Sequence, residues 1–304
     1  MNGFLVLDGP TGTELIARGY RPDPNLWTAN AAFSAPKLLK KIHSDYLAAG
    51  ANIITANTFR ISSHAAAKAG MSAGEARRLA HASVALATEA IEDFDGEGPR
   101  FVAVGIGPLE DCYRPALVPE LAVLERVHFE TMGWLSETGC DLAIAETMGS
   151  AREALVVVRA ARKAGLRGVA VSFIPDESGT RLLGGDGLLQ TARLCVESGA
   201  ETIMVNCVHA DVIERSLATL SELNQNGIVL GAYANASRMK IGFDGTVEWI
   251  ADERPVAVRA QEYAELAMNW AVKRNVRILG SCCGTSPEYI RELAARLKSR
   301  VVKK

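Results

Sequence analysis

Short apolar or β-branched runs alternate along the chain with longer stretches of helical period. The runs fall at Phe4–Leu7, Asn52–Thr55, Phe101–Ile106, Leu142–Ala145, Gly168–Phe173, Thr202–Val205, Ile228–Ala232 and Val276–Leu279, all of strand length. Between them, Pro36–Ala48 sets Leu38, Leu39, Ile42, Tyr46 and Leu47 on one stripe. Ala73–Ile91, Glu120–Thr138, Ala151–Ala164, Gly187–Glu197 and Val212–Asn224 keep the same 3.6-residue period, as an amphipathic helix must. Further helices are predicted at Val256–Lys273 and Pro287–Leu297. Ala49-Gly50-Ala51, Thr138-Gly139-Cys140, Ala164-Gly165-Leu166 and Ser198-Gly199-Ala200 each put a glycine where a helix stops just before a strand. That rhythm means parallel strands joined by crossover helices.

Eight strands, seven helices between them and one after predict an α/β fold: one (β/α)8 TIM barrel over residues 1–304, with its active site at the carboxyl ends of the strands. No Pro/Ser linker or charge block divides the chain. A doubly wound sheet is the alternative, but Asp8-Gly9-Pro10-Thr11-Gly12-Thr13 after the first run does not make the G-x-G-x-x-G turn of that fold.

Composition narrows the partners. A net charge of −2 on 304 residues gives no basic excess for nucleic acid or an anionic membrane, and 6% aromatics leaves little for base stacking. The amino terminus, Met1 to Asp8, lacks a basic region and has only four apolar residues in a row, which argues against a signal peptide. The expected location is the cytoplasm, where six cysteines stay reduced. Most free cysteines are small buried hydrophobes; any that are not should be metal ligands or nucleophiles.

Barrel chemistry sits at strand ends. Those ends carry Asp8, Asn57-Thr58-Phe59, Gly107-Pro108, Glu146-Thr147-Met148, Asn206-Cys207, Tyr233 with Asn235, and Gly280-Ser281-Cys282-Cys283-Gly284. Cys207, Cys282 and Cys283 therefore share one rim, while Cys112 falls in a loop, Cys140 before a strand and Cys195 inside a helix. Gly280 and Gly284 allow the backbone to turn so that adjacent sulfurs meet. Three thiolates suit Zn2+ and leave a fourth position open. Such an electron-rich metal is better fitted to holding a substrate thiolate than to activating water, which points to alkyl transfer onto sulfur. Asp8 and Glu146 are placed to bind an ammonium group, although Asp8 also suits a turn before Gly9 and Glu146 a pairing with Arg152. Amides at Gly9–Thr13 and Thr147–Gly149 are candidates to receive a carboxylate. Of the rim aromatics Trp27, Phe59, Tyr113, Phe173, Tyr233 and Trp249, two at most are expected to face a methylated cation, the others packing. Leu183-Gly184-Gly185-Asp186-Gly187 lacks the Lys-Ser/Thr of a phosphate loop. The five histidines show no metal spacing, and His209 reads as a loop residue.

Asp8-Gly9, Gly50 to Phe59, Gly107-Pro108, Glu146-Thr147, Val205-Asn206-Cys207 and Gly280 to Thr285 stand in the order seen in homocysteine S-methyltransferases, and the chain resembles that family over essentially its whole length. The resemblance implies a (β/α)8 barrel, zinc held by Cys207, Cys282 and Cys283, and methylation of homocysteine to methionine, with Asp8 and Glu146 at the acidic positions that hold the amino group. Thr58, Asn206, Tyr233 and Asn235 complete the candidate substrate-binding set. One departure is visible. The family's Gly-Gly-Cys-Cys is here Gly280-Ser281-Cys282-Cys283, a change that bears on substrate geometry more than on metal binding.

The partners implied are small molecules: homocysteine or selenohomocysteine as acceptor, and a cationic methyl donor. The family takes methyl groups from S-methylmethionine, betaine or a folate–cobalamin module, and the chain leaves no room for the last. Ala56-Asn57-Thr58-Phe59 is similar to the cobalamin enzyme's homocysteine unit. Asn25-Leu26-Trp27-Thr28 and Tyr233-Ala234-Asn235-Ala236 look more like the S-methylmethionine or selenohomocysteine enzymes, which favours a sulfonium donor. Betaine is the alternative donor. A zinc lyase or hydrolase, and a non-catalytic thiol- or zinc-binding module, are the alternatives in other classes.

Overall fold

The computed structural model describes residues 3–242, 246–250 and 252–301. The first two residues of the amino-terminal reading and the last three of the 1–304 span lie outside them. Eight parallel strands run β1 (Leu5–Val6), β2 (Ile53–Ala56), β3 (Phe101–Ile106), β4 (Leu142–Met148), β5 (Val169–Phe173), β6 (Thr202–Asn206), β7 (Val229–Tyr233) and β8 (Val276–Leu279). They pair in the order β1-β8-β7-β6-β5-β4-β3-β2. The seam between β1 and β2 closes through a single bridge, Leu7 to Ile53, flanked by Asn52 N donating to Val6 O (2.7 Å) and Asp8 N to Ile53 O (3.0 Å). This is the predicted (β/α)8 barrel.

Closure buries the strands on both sides, and β5 is buried at every position. The predicted helix stops behave as glycine chemistry requires. Gly50, Gly139, Gly165 and Gly199 take φ of 105°, 72°, 77° and 107°, where any side chain would be strained. Before β8 the same left-handed turn is made by Asn275, at φ 55°.

Three departures concern the strand ends and loops. β4 continues three residues past its predicted end, to Met148. An antiparallel hairpin, Met239–Ile241 with Val247–Trp249, stands between β7 and the helix Val256–Lys273. Short helices form at Thr11–Ala17, Ala31–Ser34 and Ser63–Lys68. No helix among the described residues is long and apolar enough to cross a membrane.

The helix Pro36–Ala49 buries His43 completely, with neither ring nitrogen hydrogen-bonded. Burial lowers its pKa to about 4. The neutral ring is the folded form, so its stabilising effect is complete above the unfolded value near 6.5 and is lost as pH falls toward 4, a change of about 3 kcal/mol. His43→Leu should flatten ΔG of unfolding over that window in urea titrations. An undiminished acid slope in the variant would assign it to other groups.

Candidate functional site

Each strand end reaches the barrel mouth by a local backbone device. At β4 the register against β5 slips between Ala145 and Met148, and Thr147 takes φ 59°. Such a bulge re-aims a side chain, and here it brings Glu146 into the mouth. Gly105 on β3 leaves room for it, because a Cβ there would stand 2.6 Å from Glu146 Oε2 and the carboxylate would have to move. Cys207, just past β6, also takes φ 59°. After β8, Gly280 presses against β1, where a Cβ would meet Leu7 Cβ at 2.8 Å. Cys282 N donates to Ala234 O (2.8 Å), Ala236 N to Cys283 O (3.0 Å), and Gly284 turns away at φ 76°.

These devices gather Cys207, Cys282 and Cys283. Their sulfurs lie within 4.8 Å of one another, with Cys207–Cys283 at 3.9 Å and Cys282–Cys283 at 4.0 Å. Tetrahedral ligands at a Zn–S distance near 2.3 Å would be separated by about 3.8 Å, so the set fits zinc with little adjustment. The sulfur contacts raise Cys207 and Cys283 most, while for Cys282 the contact with Cys207 lowers and that with Cys283 raises. With burial the balance puts all three thiols well above their ordinary range, and a divalent cation would favour their ionised forms. Further groups orient the ligands. Tyr113 Oη lies 3.1 Å from Cys207 Sγ. Asn206 Nδ2, 3.9 Å from Cys282 Sγ, is held by Thr147 Oγ1 (2.8 Å), while Ser172 Oγ donates to Asn206 Oδ1 (2.7 Å). Ser281 engages its hydroxyl with Thr285 Oγ1 (2.8 Å), not with sulfur.

The sulfurs form the floor of a cavity of about 640 Å3 that also contains Asp8 and Glu146, a size suited to small molecules. Asp8 ties the barrel seam, accepting from Thr55 N (2.7 Å) and Thr55 Oγ1 (2.9 Å). Burial raises its pKa well above the carboxylate range against those hydrogen bonds, and the Glu146 charge raises it further. Burial likewise lifts Glu146 to about 7. Among the described residues neither carboxylate has a basic partner. Arg152, the candidate mate of Glu146, donates instead to Val118 O (3.1 Å). Two buried acids without a counter-ion make a site for a cation. Above them the buried Tyr233 hydroxyl approaches Glu146 and Ser172 without a well-formed hydrogen bond, and the buried Thr11 Oγ1 is also unpartnered.

The other sequence candidates divide. Thr58 is buried and donates to Gly105 O (2.8 Å), and Asn235 donates to Met239 Sδ (3.7 Å); neither lines the cavity. Asn206 lies behind the cysteines. Phe173 is fully buried in the core, while Trp27, Phe59, Tyr113, Tyr233 and Trp249 all line the cavity. Cys112, read from sequence as a loop thiol without a role, is part of the wall. Its loop is held from outside, Leu109 N donating to buried Glu153 Oε1 (2.9 Å), itself paired with His128 Nε2 (2.9 Å). Of the two backbone stretches read as carboxylate receivers, Gly9–Thr13 lines the cavity throughout and Thr147–Gly149 only at Thr147. His209 precedes the helix Ala210–Leu220 and pairs with Asp211 (2.6 Å).

Residues 5–297 match the protein family described as homocysteine S-methyltransferase. The chain is 29% identical to homocysteine S-methyltransferase YbgG of Bacillus subtilis (strain 168), over 97% of this chain and 95% of that protein. It is 25% identical to a selenocysteine Se-methyltransferase of Brassica oleracea var. italica, over 98% and 90%. The metallated form of the homocysteine methyltransferase MmuM from Escherichia coli shares the fold, with a TM-score of 0.82 at 23% identity over 97% of this chain and 96% of that one.

Proposed function

The chain belongs to the homocysteine S-methyltransferase family, and from that premise we propose that it methylates homocysteine from a sulfonium donor of the S-methylmethionine class, with zinc held by Cys207, Cys282 and Cys283. The observation that carries the proposal is one cavity holding both the three-sulfur cluster and a pair of buried acids with no basic partner among the described residues. An amino-acid thiol matches both ends. Its sulfur suits the cysteine cluster and its ammonium suits Asp8 and Glu146. We place the work in the cytoplasm, whose reducing conditions keep the ligand thiols free, and treat residues 1–304 as one functional unit.

When bound, zinc supplies acidity, keeping an acceptor thiol ionised at neutral pH. The chain does the rest by placement. Asp8 and Glu146 fix the acceptor's ammonium, and ligand entry favours the ionised form of Glu146. Tyr113 and Asn206 hold the ligand sulfurs of Cys207 and Cys282 in orientation. The aromatic walls Trp27, Phe59 and Trp249 shed water from the donor's cationic centre. The donor's S–CH3 bond breaks with its electron pair left on the donor sulfur, and the acceptor sulfur gains the methyl group. No side chain has to act as a base, so the acceleration comes from alignment.

A donor panel tests the proposal. With homocysteine and trideuteromethyl donors, mass spectrometry should find labelled methionine from S-methylmethionine at least about 10-fold faster than from betaine, a difference near 1.4 kcal/mol in barrier. Faster labelling from betaine would replace the sulfonium donor. Homocysteine binding without methionine from any donor would make the chain a thiol-binding module.

A further inference from the structure

Arg60 is the one cavity-lining cation that lacks a carboxylate partner among the described residues. It follows the β2 loop, is half-buried, and donates from Nη1 to Glu110 O (2.7 Å), with its guanidinium carbon 5.8 Å from the Phe59 ring centroid. One of its five N–H donors is thereby engaged, which leaves an edge of the fork open. The neighbouring cations are already engaged by a carboxylate, and the neighbouring aspartates by backbone amides. Lys68 Nζ and His64 Nε2 both meet Glu110 Oε1, at 2.5 and 2.7 Å. Asp23 Oδ1 accepts from the amides of Asn25 and Leu26, and Asp111 Oδ1 from that of Tyr113. Arg60 is also close enough to Cys112 for its charge to oppose the burial that raises that thiol. Cys112 adjoins Tyr113, whose hydroxyl touches Cys207. Arg60 therefore lines the same cavity as the sulfur cluster, on the stretch of wall where its neighbours Lys68 and Glu110 are partly exposed, and we take this as the outer part of the cavity.

Methyl transfer in line with the acceptor sulfur requires the remainder of the donor to project away from that cluster, toward this outer part. Resting on the function proposed above, we propose that Arg60 anchors the carboxylate of the methyl donor, so that the enzyme selects donors that carry a carboxylate as well as a methyl-bearing cation. The open edge of a guanidinium matches the two oxygens of a carboxylate, and an ammonium in its place would not. The donor would thus be held at both ends, by Arg60 outside and by the aromatic walls around its cationic centre.

The test compares acid and methyl ester within each of two donor pairs, S-methylmethionine and betaine, on the zinc-loaded protein with homocysteine. The wild type should prefer the acid by roughly 10- to 100-fold in kcat/KM, the range of one charge-assisted contact. In Arg60→Gln that preference should fall to within about 2-fold of unity, and Arg60→Lys should retain part of it. Zinc content and calorimetric homocysteine binding, unchanged in both variants, verify an intact site. An unchanged acid-to-ester ratio in Arg60→Gln, or an equal loss on acid and ester, overturns the assignment. If only the betaine pair reacts, the sulfonium reading falls and Arg60 is judged by the ratio within that pair. If homocysteine binds but neither acid reacts, both fall.

Discussion

Cys207→Ala is expected to abolish stoichiometric zinc binding and to lower methyl transfer by about 10³-fold, the loss of a metal contribution worth several kcal/mol. Part of this is ionisation alone. A free thiol with a pKa near 8.5 is only about 3% thiolate at pH 7. The remainder is alignment, because two ligands no longer fix where the acceptor sulfur sits. The fold should survive the change. Position 207 takes φ 59° whichever residue occupies it, and alanine bears the same left-handed strain as cysteine. The deleted sulfur is a single atom that faces the cavity from a buried residue, so its loss removes little packing. Metal analysis on protein purified without chelator, with circular dichroism to verify the barrel, gives the answer. Cys140→Ala and Cys195→Ala are the controls, since neither residue lines the cavity, and both should keep zinc and activity. Full zinc content with full activity in Cys207→Ala would remove this residue from the ligand set.

The barrel is legible in the sequence because its determinants are local. Phe101–Ile106 and Val276–Leu279 coincide with their apolar runs, and glycines at the helix ends occupy conformations that other residues resist. Strand-end position then singles out Cys207, Cys282 and Cys283 without any compact ligand motif. What stays hidden depends on distance or on function. By composition β4 stops at Ala145, since Glu146 and Thr147 are polar; the strand runs on to Met148 through a register slip that turns Glu146 into the cavity, a local rule broken where the candidate site lies. The hairpin strands are three residues each, too short for alternation to register. Thr11–Ala17 is a seven-residue helix without a side-chain cap. Cys112 reaches the cavity on the loop after β3, pinned by Glu153, 44 residues from Leu109 in sequence, and Arg60 on the loop after β2, tied to it through Glu110 O. No spacing rule carries that information.

Glu146→Gln is expected to lower kcat/KM for homocysteine by about 10²- to 10³-fold, as removal of one partner of a buried charged hydrogen bond costs about 2–5 kcal/mol. Gln keeps the shape of Glu146 and its place opposite Gly105, so the loss reports charge rather than packing. The effect should depend on the acceptor's amino group. With 4-mercaptobutanoate, which lacks it, wild type and variant should differ by less than about 3-fold. The pH profile gives a second signature. Burial lifts Glu146 to about 7, so protons neutralise it as pH falls through that value and the ammonium loses its partner. Activity on homocysteine therefore declines below pH 7 and recovers above it. Acceptor thiol ionisation falls in the same direction, so the diagnostic is steepness: the acid limb should be one power of proton concentration steeper in the wild type than in Glu146→Gln. Because Asp8 feels the Glu146 charge, the midpoint belongs to the pair rather than to either residue. Glu146 is the ammonium's partner only if both signatures are found together. Equal losses with homocysteine and 4-mercaptobutanoate would leave that role to Asp8, which already ties the barrel seam and would then join fold and substrate through one carboxylate.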